Sequence, residues 1–529
     1  MPDSTENATP WIRAASLAEL RQRGRMTAKL AGHQIALFAG DGGEVWACDN
    51  RCPHEGYPLV EGHFADGCIL TCNWHNWKFD LKGGETLVGG DTLRRYPVRT
   101  DGDDILVDLA DPPPQVVAAQ ALAGLRASFD RHEYTRMARE IARLQATGTN
   151  PLDAVRETIG WTYEHFEYGT THAVAAAADW LALRDDHADD PARALTALTE
   201  IVGHFAWDSR LEPAFPYPAG ETAYDAEALV RAIEDEDEAA AVALIRGGVA
   251  AGLDFAAFEP ALSRASLAHY QDFGHALIYV YKTGQLAARL DGDMLEPLLL
   301  MLTRSLIYAS REDLIPEFKA YAGALASWDD AGEAVPAAID LRGGTVAAIL
   351  ERITAGSANP EAVFDAAMDA AAWQMAHYDM SYQNHVDKPV SRNVGWLSFT
   401  HTLTFGNAVR KTCEKHPALW PAGLLQIGCF LGRNAGFVDA QYDPAPYAVA
   451  DPAAFLADQK TKLFDHGNPE FIVSCHLVKL LSAMAEEIAD RPDIPWRADA
   501  VAAVNRFLNE PLKRKHALRA AHQALAAVK

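Results

Sequence analysis

The chain of 529 residues is poor in cysteine, poor in basic side chains and free of long apolar runs. Its seven cysteines form an odd, scattered set, which excludes a small disulfide scaffold and suits free thiols in a reducing compartment. Lysine and arginine number 47 against 72 acidic residues, and the net charge of −25 opposes binding to nucleic acid phosphates and to anionic membranes. No stretch reaches the roughly 18 consecutive apolar residues of a membrane span. We therefore expect a cytoplasmic protein with neither a nucleic acid nor a membrane partner.

The length and composition predict more than one folded domain. A chain of 529 residues exceeds one ordinary domain, and a hydrophobic content of 49% is enough for a large core. The first residues, MPDSTENATPW, are polar and acidic, which is typical of neither a signal nor a transit peptide.

Cysteine and histidine occur in two mixed pairs near the beginning of the chain. The pairs are Cys52-x-His54 and Cys72-x-x-His75, separated by residues 55–71. Two thiolates can hold one iron of a [2Fe–2S] cluster while two imidazoles hold the other. A tetrahedral zinc site is the alternative, but its usual order places two cysteines before two histidines. One cysteine and one histidine in each pair favour the iron–sulfur cluster, with these four residues as its ligands.

The stretch around these pairs, CPHEGYPLVEGHFADGCILTCNWHNWKFDLKGGE, closely resembles the Rieske ferredoxins and the Rieske domains of ring-hydroxylating oxygenases. The resemblance implies a Rieske-type cluster in a small antiparallel β domain, with a potential raised by its neutral imidazole ligands. The family usually has proline after the second cysteine and glycine after the second histidine, where this chain has Asn73 and Asn76. The respiratory type carries a disulfide between the two loops, and Tyr57 and Asn73 stand near those places. This difference indicates the lower-potential, ferredoxin-like type.

Strand and helix patterns divide the chain near residue 111. Residues 25–49 and 93–109 alternate in polarity around Gly turns, which predicts strands on both sides of the two pairs. The run Asp111-Pro112-Pro113-Pro114 cannot continue a strand, and the chain after it is rich in Ala and Leu at helical spacing. We place a Rieske domain at 1–110, a Pro-rich linker at 111–117 and an all-helical domain at 118–529. The expected fold class is a multidomain α and β protein, with a small antiparallel β domain followed by a large all-α domain of repeated helical hairpins.

The helical part contains an internal repeat. Four copies run over about 160–225, 262–325, 370–440 and 465–490, and each has a small or polar residue directly before a histidine. Stacked helical hairpins of this kind bury one continuous core. Aligned repeats place equivalent residues at equivalent heights, so these histidines would converge on one centre, as metal ligands do in helix bundles. The aligned histidines are His172, His275, His401 and His476.

One hypothesis is that this centre binds a second metal, an additional iron. Two shorter sequence patterns occur next to the aligned histidines. His165 and His172 would share one helix face, and His269, Asp272 and His275 would lie within one arc. The spacing from Asp272 to His275 is that of the carboxylate–His pairs of di-iron bundles. Two other readings stay open, namely hydrogen-bonded structural histidines between helices, and a metal-free substrate cavity with His and Tyr as acid and base.

Residues 374–393, QMAHYDMSYQNHVDKPVSRN, form a further polar stretch. Its density of polar and aromatic groups suits a wall that faces a ligand, or equally a polar helix end followed by a loop. The candidate catalytic residues of the helical part are His165, His172, Asp272, His275, His377, His385, His401 and His476.

The helical part also resembles the questin-oxidase-like family in its paired His-Phe or His-Tyr and His-Ala segments, as at 165–173 and 269–276. That resemblance implies oxygen insertion into polyketide-type aromatics with a reduced nicotinamide as electron source. The sequence has no GxGxxG or Walker motif for a nucleotide. Electrons would therefore come from a separate reductase or ferredoxin.

Together these patterns predict a Rieske iron–sulfur oxidoreductase. We expect a monooxygenase-like enzyme whose Rieske domain supplies electrons to a substrate or metal site in the helical domain. The expected partners are a reductase, a small organic substrate and other copies of the chain in a homo-oligomer. The alternative is a non-catalytic electron-transfer or redox-sensing protein whose helical domain serves as a docking scaffold.

Overall fold

The computed structural model describes residues 11–210, 212–290, 292–389, 394–513 and 515–528. The chain divides into two compact units, one that ends at Pro151 and one that begins at Leu152. An antiparallel β domain precedes a large helical region, which confirms the predicted fold class. Among the described residues, no helix combines the length and apolar character that crossing a bilayer requires.

The first unit is built on three antiparallel sheets. Its strands are β1 (Ile12–Ser16), β2 (Arg25–Leu30), β3 (His33–Ala39), β4 (Val45–Asp49), β5 (His63–Ala65), β6 (Ile69–Thr71), β7 (Lys78–Asp80), β8 (Thr86–Val88), β9 (Arg95–Tyr96), β10 (Val98–Asp101) and β11 (Asp104–Val107). The strand orders are β1-β11-β10, β2-β3-β4-β9 and β5-β6-β7-β8. The sheet β5–β8 is therefore a meander of short strands that follow one another along the chain.

Strand β3 separates two hydrophobic cores of the first unit. Its residues 35–38 are all buried, because successive side chains point to opposite faces and both faces are covered. Ala36 and Phe38 pack into the core that also holds Cys52 and Cys72. Ile35 and Leu37 pack into the second core. The two cysteines thus lie against a packed sheet.

Three helices belong to the first unit. They are α1 (Leu17–Arg23), α2 (Pro114–Asp130) and α3 (Tyr134–Ala146). Helix α2 begins within the predicted linker, because proline is well suited to the first turn of a helix. The buried carboxylate of Asp91 accepts bonds from Arg139 of α3 at 2.9 and 2.7 Å and lies 2.7 Å from Arg143. The domain limits at 110 and 118 stay predictions, and the structure adds that the first compact unit includes α2 and α3.

The helices of the second unit are joined by turns and by some longer segments, such as the one between Asn434 and Pro452. They are α4 (Asp153–Thr162), α5 (His172–Asp185), α6 (Pro191–Ser209), α7 (Ala226–Glu234), α8 (Glu238–Ala250), α9 (Phe255–Leu267), α10 (His275–Ala287), α11 (Leu295–Ile307), α12 (Ala320–Ala326), α13 (Ala338–Leu341), α14 (Val346–Thr354), α15 (Pro360–Ala376), α16 (Ser381–Asn384), α17 (Trp396–Lys415), α18 (Trp420–Asn434), α19 (Pro452–Lys462), α20 (Phe471–Asp490), α21 (Arg497–Asn509) and α22 (Ala517–Ala527).

Four of these helices form a closed ring. Helix α5 packs on α10, α10 on α17, α17 on α20 and α20 on α5. The other helices cover this ring, for example α6 against α5 and α18 against α17. Each predicted repeat copy contains one helix of the ring. The ring is therefore the inner bundle around which the second unit is built.

Candidate functional site

Two loops of the first unit carry the Cys/His pairs, one after β4 and one between β6 and β7. In both loops the cysteine N–H donates to the backbone oxygen five residues later, that of Tyr57 at 2.9 Å or of Trp77 at 2.8 Å. The residue four positions after the cysteine donates its N–H back to the cysteine carbonyl. That residue is Gly56 in the first loop and Asn76 in the second, and both have a positive φ, of 77° and 60°. Asparagine tolerates this left-handed conformation, so Asn76 preserves the turn that glycine makes in the first loop.

Glu61 ties the two loops together without a covalent bond. The hydroxyl of Tyr57 donates to the Glu61 carboxylate at 3.3 Å, and the side-chain amide of Asn73 donates to the Glu61 carbonyl at 2.9 Å. All seven cysteines lie in the described ranges and are free thiols. Tyr57 and Asn73 thus link the loops where the respiratory type has a disulfide.

The four side chains of the pairs are arranged to hold a cluster. Cys52 and Cys72 are buried, and their thiols lie within hydrogen-bonding reach of each other. Burial raises the pKa of Cys52 to about 11, while the N–H groups of His54 and Glu55, which donate toward its sulfur, act in the opposite direction. Such amide bonds to sulfur are what an iron-bound thiolate uses.

The imidazoles of His54 and His75 complete this donor set. Their ring centroids lie 4.8 Å apart with the rings nearly perpendicular. Nδ1 of His54 is buried and has no hydrogen-bond partner in the described part of the chain. The residues therefore fit a Rieske cluster, in which Cys52 and Cys72 would hold one iron and His54 and His75 the other.

Aromatic rings surround the histidine side of this site. Trp77 stacks on His54 at 4.6 Å, and Gly89 leaves room for the indole, because a Cβ there would lie 2.4 Å from it. Trp74 stacks on His75 and remains 61% exposed. The imidazole edge of the site therefore faces solvent, which is the side from which an electron partner can approach.

In the second unit, the four aligned histidines meet inside the helix ring. His172 and His275 are the first residues of α5 and α10, whereas His401 and His476 lie within α17 and α20. The centroids of adjacent imidazoles are 4.9, 4.5, 4.9 and 5.0 Å apart around the ring, in the order 172, 275, 401, 476 and back to 172. Side chains from four distant parts of the chain thus form one compact group.

Two close nitrogen pairs define the middle of this group. Nε2 of His275 lies 3.2 Å from Nε2 of His172, and Nε2 of His476 lies 3.0 Å from Nε2 of His401. Donor nitrogens of three of the four rings, all but that of His275, lie within 4.8 Å of one another. We call His172, His275, His401 and His476 the four-histidine centre.

Backbone carbonyls set the tautomer of two of these rings. Nδ1 of His275 lies 2.6 Å from the carbonyl oxygen of Asp272, and Nδ1 of His476 lies 2.6 Å from that of Ile472. A carbonyl can only accept, so each Nδ1 carries the proton and each Nε2 presents a lone pair toward the middle. Metal-bound histidines are commonly oriented by such a bond from the second ring nitrogen.

The electrostatics of the centre keep all four imidazoles neutral. Burial lowers the pKa of His172, His401 and His476 well below the ordinary value, and that of His275 to about 4. The charge of Lys479 acts in the same direction on each ring. Neutral imidazole is the form that binds metals.

The centre also borders a space that water can enter. His172, His275 and His401 keep part of their surface accessible, although they lie deep among the helices. Asp272 and Phe273, which precede α10, are half-buried beside them. A water-sized molecule can therefore reach these three imidazoles near the beginnings of α5 and α10.

A strained turn positions Asp272 and His275. Asp272, Phe273 and Gly274 all have a positive φ, of 49°, 44° and 79°, which is costly for the two that are not glycine. This turn directs the Asp272 carbonyl at the His275 ring. Burial raises the pKa of the Asp272 carboxyl to about 7, and the nearby charge of Glu312 adds to the shift. Asp272 is thus able to exchange a proton near neutral pH.

Both predicted shared helix faces are wrong. Helix α4 ends at Thr162 and α5 begins at His172, so His165 lies in the connecting segment, where its Nδ1 contacts the Glu212 carbonyl at 2.6 Å. Helix α9 ends at Leu267, and the turn before α10 separates His269 from His275. The periodicity failed because neither segment is a continuous helix.

The remaining predicted histidines are placed elsewhere in the second unit. His269 lies 2.6 Å from the Glu234 carboxylate, and His377 stacks on Trp373 at 4.0 Å. His385 packs on Tyr382, and its carbonyl accepts a bond from Arg519. Residues 390–393 of the polar stretch lie outside the described residues. Within the described residues, the contacts of His377 and His385 thus lie with groups other than the four-histidine centre.

Sequence reasoning missed the charged groups beneath the centre. Lys479 follows His476 by one helical turn, and Asp179 and Lys282 follow His172 and His275 by two turns. The repeat offered a signal for them, because Asp179 and Lys282 are 103 residues apart, as are His172 and His275.

Comparison with known proteins identifies the first unit. A family model described as the Rieske [2Fe-2S] domain matches residues 10–94. The ferredoxin subunit of the 3-phenylpropionate/cinnamic acid dioxygenase of Escherichia coli (strain K12) is 39% identical over 82 residues, which are 15% of this chain and 76% of that protein. The 4beta-methylsterol monooxygenase of Methylococcus capsulatus is 37% identical over 92 residues, and the chain spans only 25% of its length. Among solved structures, the ferredoxin of carbazole 1,9a-dioxygenase from Nocardioides aromaticivorans IC177 is 29% identical, with 18% of this chain and 96% of that chain covered and a TM-score of 0.17.

Proposed function

The chain belongs to the Rieske [2Fe–2S] family through residues 10–94, and on that premise we propose that it is an oxygenase-like oxidoreductase. It takes up electrons at its Rieske domain and uses them at the four-histidine centre, in the same chain or in a neighbouring subunit. A metal ion in this centre would supply the redox chemistry, and a small organic compound would be oxidised beside it. A separate reductase or ferredoxin is the electron source.

One observation carries this proposal, namely the convergence of four neutral imidazoles from four helices. The bonds from Nδ1 of His275 and His476 to carbonyls leave lone pairs on Nε2 that face the other two rings. Imidazole ligands suit iron, copper, zinc and nickel, and of these iron and copper change oxidation state readily. We therefore propose a single redox metal, with iron as the first choice.

The composition of the centre argues for one metal ion over two. Di-iron bundles use several Glu side chains besides their histidines. Among the described residues, the group of donor atoms at the centre contains histidines and no carboxylate. Asp272 contacts His275 through its backbone carbonyl.

The chain's own residues would perform three tasks. The imidazoles hold the metal, and the carbonyls of Asp272 and Ile472 orient two of them. Asp272 is half-buried, and its carboxyl, with a pKa of about 7, would exchange a proton with a substrate bound beside the centre.

The names of the relatives support an oxygenase setting. They include a ferredoxin subunit of a dioxygenase and a monooxygenase of methylsterols. The similarity lies in the Rieske part, so the substrate is inferred only as a small organic molecule that can reach the ends of α5 and α10.

Metal analysis of purified protein tests the proposal. We expect three metal ions per chain, two of them cluster iron. His401→Ala should lose the third metal and keep the visible absorption of the cluster, because the two sites use different residues. His165→Gln is the matched control, since this aligned histidine lies outside the centre and should keep all three ions. Two irons per chain in the unaltered protein, with no further metal, would favour the electron-transfer or sensing alternative.

A further inference from the structure

A line of buried charged groups runs from the four-histidine centre along the helix ring. Lys479 lies one turn beyond His476, Asp179 and Lys282 lie two turns beyond the histidines of α5 and α10, and Glu486 lies about three turns beyond His476. At about 1.5 Å per residue, the line from His476 to Glu486 is roughly 15 Å long. Charged groups in a helical core are expensive to bury, so a series of them along one bundle calls for a reason.

The inner end of the line is an unpaired lysine. Lys479 is 1% exposed, and its Nζ has no hydrogen-bond partner within the described ranges. Its charge acts on all four imidazoles of the centre and on the Asp272 carboxyl. A fully buried ammonium without a partner is unfavourable, and burial accordingly lowers the pKa of Lys479. This lysine is therefore able to give up a proton.

The middle of the line is an ion pair with one free oxygen. Lys282 donates to Oδ1 of Asp179 at 2.8 Å, and both side chains are buried. Oδ2 of Asp179 has no partner among the described residues, and its charge interacts with that of Lys479. Lys479 and Asp179 thus each keep one buried polar atom without a partner among the described residues. Buried water commonly satisfies such groups.

The outer end of the line reaches solvent. Lys282 also donates to Gln285 at 3.0 Å and lies 3.9 Å from Glu486. Glu486 accepts bonds from Tyr281 at 2.9 Å and from Gln285 at 3.1 Å, and its side chain is 27% exposed. Tyr281 and Gln285 line a surface cleft of about 510 Å³. Short distances thus link the partly exposed Glu486 to Lys282, and Lys282 to the buried Asp179.

We propose that Lys479 is the proton donor of the four-histidine centre, and that Asp179, Lys282 and Glu486 return protons to it from the surface cleft. This inference rests on the proposed function. Each electron that oxygen receives at the centre must be matched by one proton if charge is not to accumulate in the bundle. The Lys479 ammonium gives that proton to the reduced oxygen and becomes a neutral amine. The Lys479 amine then regains a proton by way of Asp179. Glu486 takes up the replacement proton from solvent.

The test follows re-oxidation of the cluster after the photoreduced protein is mixed with dissolved oxygen. His401→Ala, which lacks the centre, gives the rate of direct oxidation of the cluster. Lys479→Met removes the proton donor and keeps a side chain of similar length. General acids contribute about 10²- to 10⁴-fold to rates, so we expect Lys479→Met to re-oxidise at least roughly tenfold more slowly than the unaltered protein, with full metal content. Lys462→Met, on the exposed face of α19, is the matched control and should leave the rate unchanged.

Two further measurements separate proton donation from a structural role. Small primary ammonium ions should restore the rate of Lys479→Ala, because they can enter the space left by the side chain. The rate of the unaltered protein should also fall in D₂O, and Glu486→Gln should slow it by a smaller factor than Lys479→Met. Glu486 is half-buried, so its variant should retain the fold.

The outcomes distinguish this inference from the function on which it rests. If the unaltered protein re-oxidises no faster than His401→Ala, the proposed function fails. If the unaltered protein instead re-oxidises faster than His401→Ala, but Lys479→Met has the same rate and the same solvent isotope effect as the unaltered protein, only the role of Lys479 as proton donor is overturned. Loss of the third metal from Lys479→Met would also overturn that role, since Lys479 would then be needed to keep the metal site intact.

Discussion

The two candidate centres of this protein are built in opposite ways. The cluster site uses two short loops with the same hydrogen-bonding pattern, and its four ligands lie between Cys52 and His75. The four-histidine centre draws its side chains from helices that begin as far apart as His172 and Phe471. The first site is therefore held mainly by local backbone bonds, and the second by the packing of distant helices.

The two sites should therefore be sensitive to different kinds of substitution. A loop closed by its own N–H and C=O groups keeps its shape as long as its turn residues fit. A site shared among four helices depends on every contact that keeps those helices in register.

Replacing Cys72 by serine should remove the cluster completely and leave the helical centre intact. The thiolate cannot be replaced by a hydroxyl of much higher pKa, so both cluster irons and the visible absorption should be lost. The third metal should remain, because none of its ligands lies in the first unit. Metal analysis and absorption spectra provide the measurement. Cys68→Ser is the control and should retain the cluster, and simultaneous loss of all metals from Cys72→Ser would contradict the independence of the two sites.

The cluster site could be predicted from the sequence because its information is local. Spacing and residue type were enough to identify the two loops and the Rieske domain, and the family comparison confirms that domain. The departure at Asn76 proved compatible with the same turn, since asparagine adopts the left-handed conformation there.

The helical centre could be predicted only in part. The repeat aligned the four histidines, whose side chains the structure brings together. Helical periodicity gave the wrong neighbours for them, because turns precede α5 and α10 where continuous helices were expected. The burial of Lys479 and the partners of Asp91 depend on contacts between distant segments, and no local pattern reveals such contacts. For the same reason the sequence did not indicate that α2 and α3 belong to the first compact unit.

Replacing Arg410 by methionine should destabilise the helical unit strongly. Arg410 donates to both oxygens of Glu487 at 2.8 Å and joins α17 to α20, and Glu487 is fully buried. Removing one partner of a buried pair costs about 3–5 kcal/mol. Arg491, 3.4 Å from Glu487, and the bond from Asn407 remain, so we expect a loss near the lower end of that range. The helical far-UV signal should be lost at lower urea concentration, together with the third metal, while the cluster absorption is unchanged. Lys462→Ala breaks an exposed pair with Asp458 and should cost less than about 1 kcal/mol.

Replacing Asp91 by asparagine should destabilise the first unit in a pH-dependent way. Burial alone would raise the pKa of Asp91, but the bonds and charges of Arg139 and Arg143 outweigh it, so the pKa is lowered. A carboxyl with a lowered pKa stabilises the fold above its unfolded pKa, near about 4, and loses that effect as pH falls through the folded pKa. We expect a loss of about 2 kcal/mol at pH 7, because the arginines are partly exposed.

Urea denaturation followed through the cluster absorption measures the effect of Asp91→Asn. The gap between the variant and the unaltered protein should narrow as the pH falls below about 4. Arg13→Ala, which breaks an exposed pair with Asp104, is the control and should change little. A constant gap across this pH range would show that the Asp91 carboxylate charge does not hold α3 to the sheets.

The smallest effect concerns the turn residue of the second cluster loop. Asn76→Ala places a side chain with a Cβ and no local hydrogen-bonding group at a φ of 60°, which costs about 1 kcal/mol. Asn76→Gly removes that strain and should keep the stability within about 0.5 kcal/mol, because glycine adopts this conformation freely at Gly56 in the first loop. Thermal unfolding followed through the cluster absorption should therefore rank glycine close to asparagine and alanine below both. The helical signal should not move in either variant. Equal stability of the alanine and glycine variants would mean that the loop is held by its cluster ligands and not by its backbone, and the contrast between a locally closed site and a packed one would no longer hold.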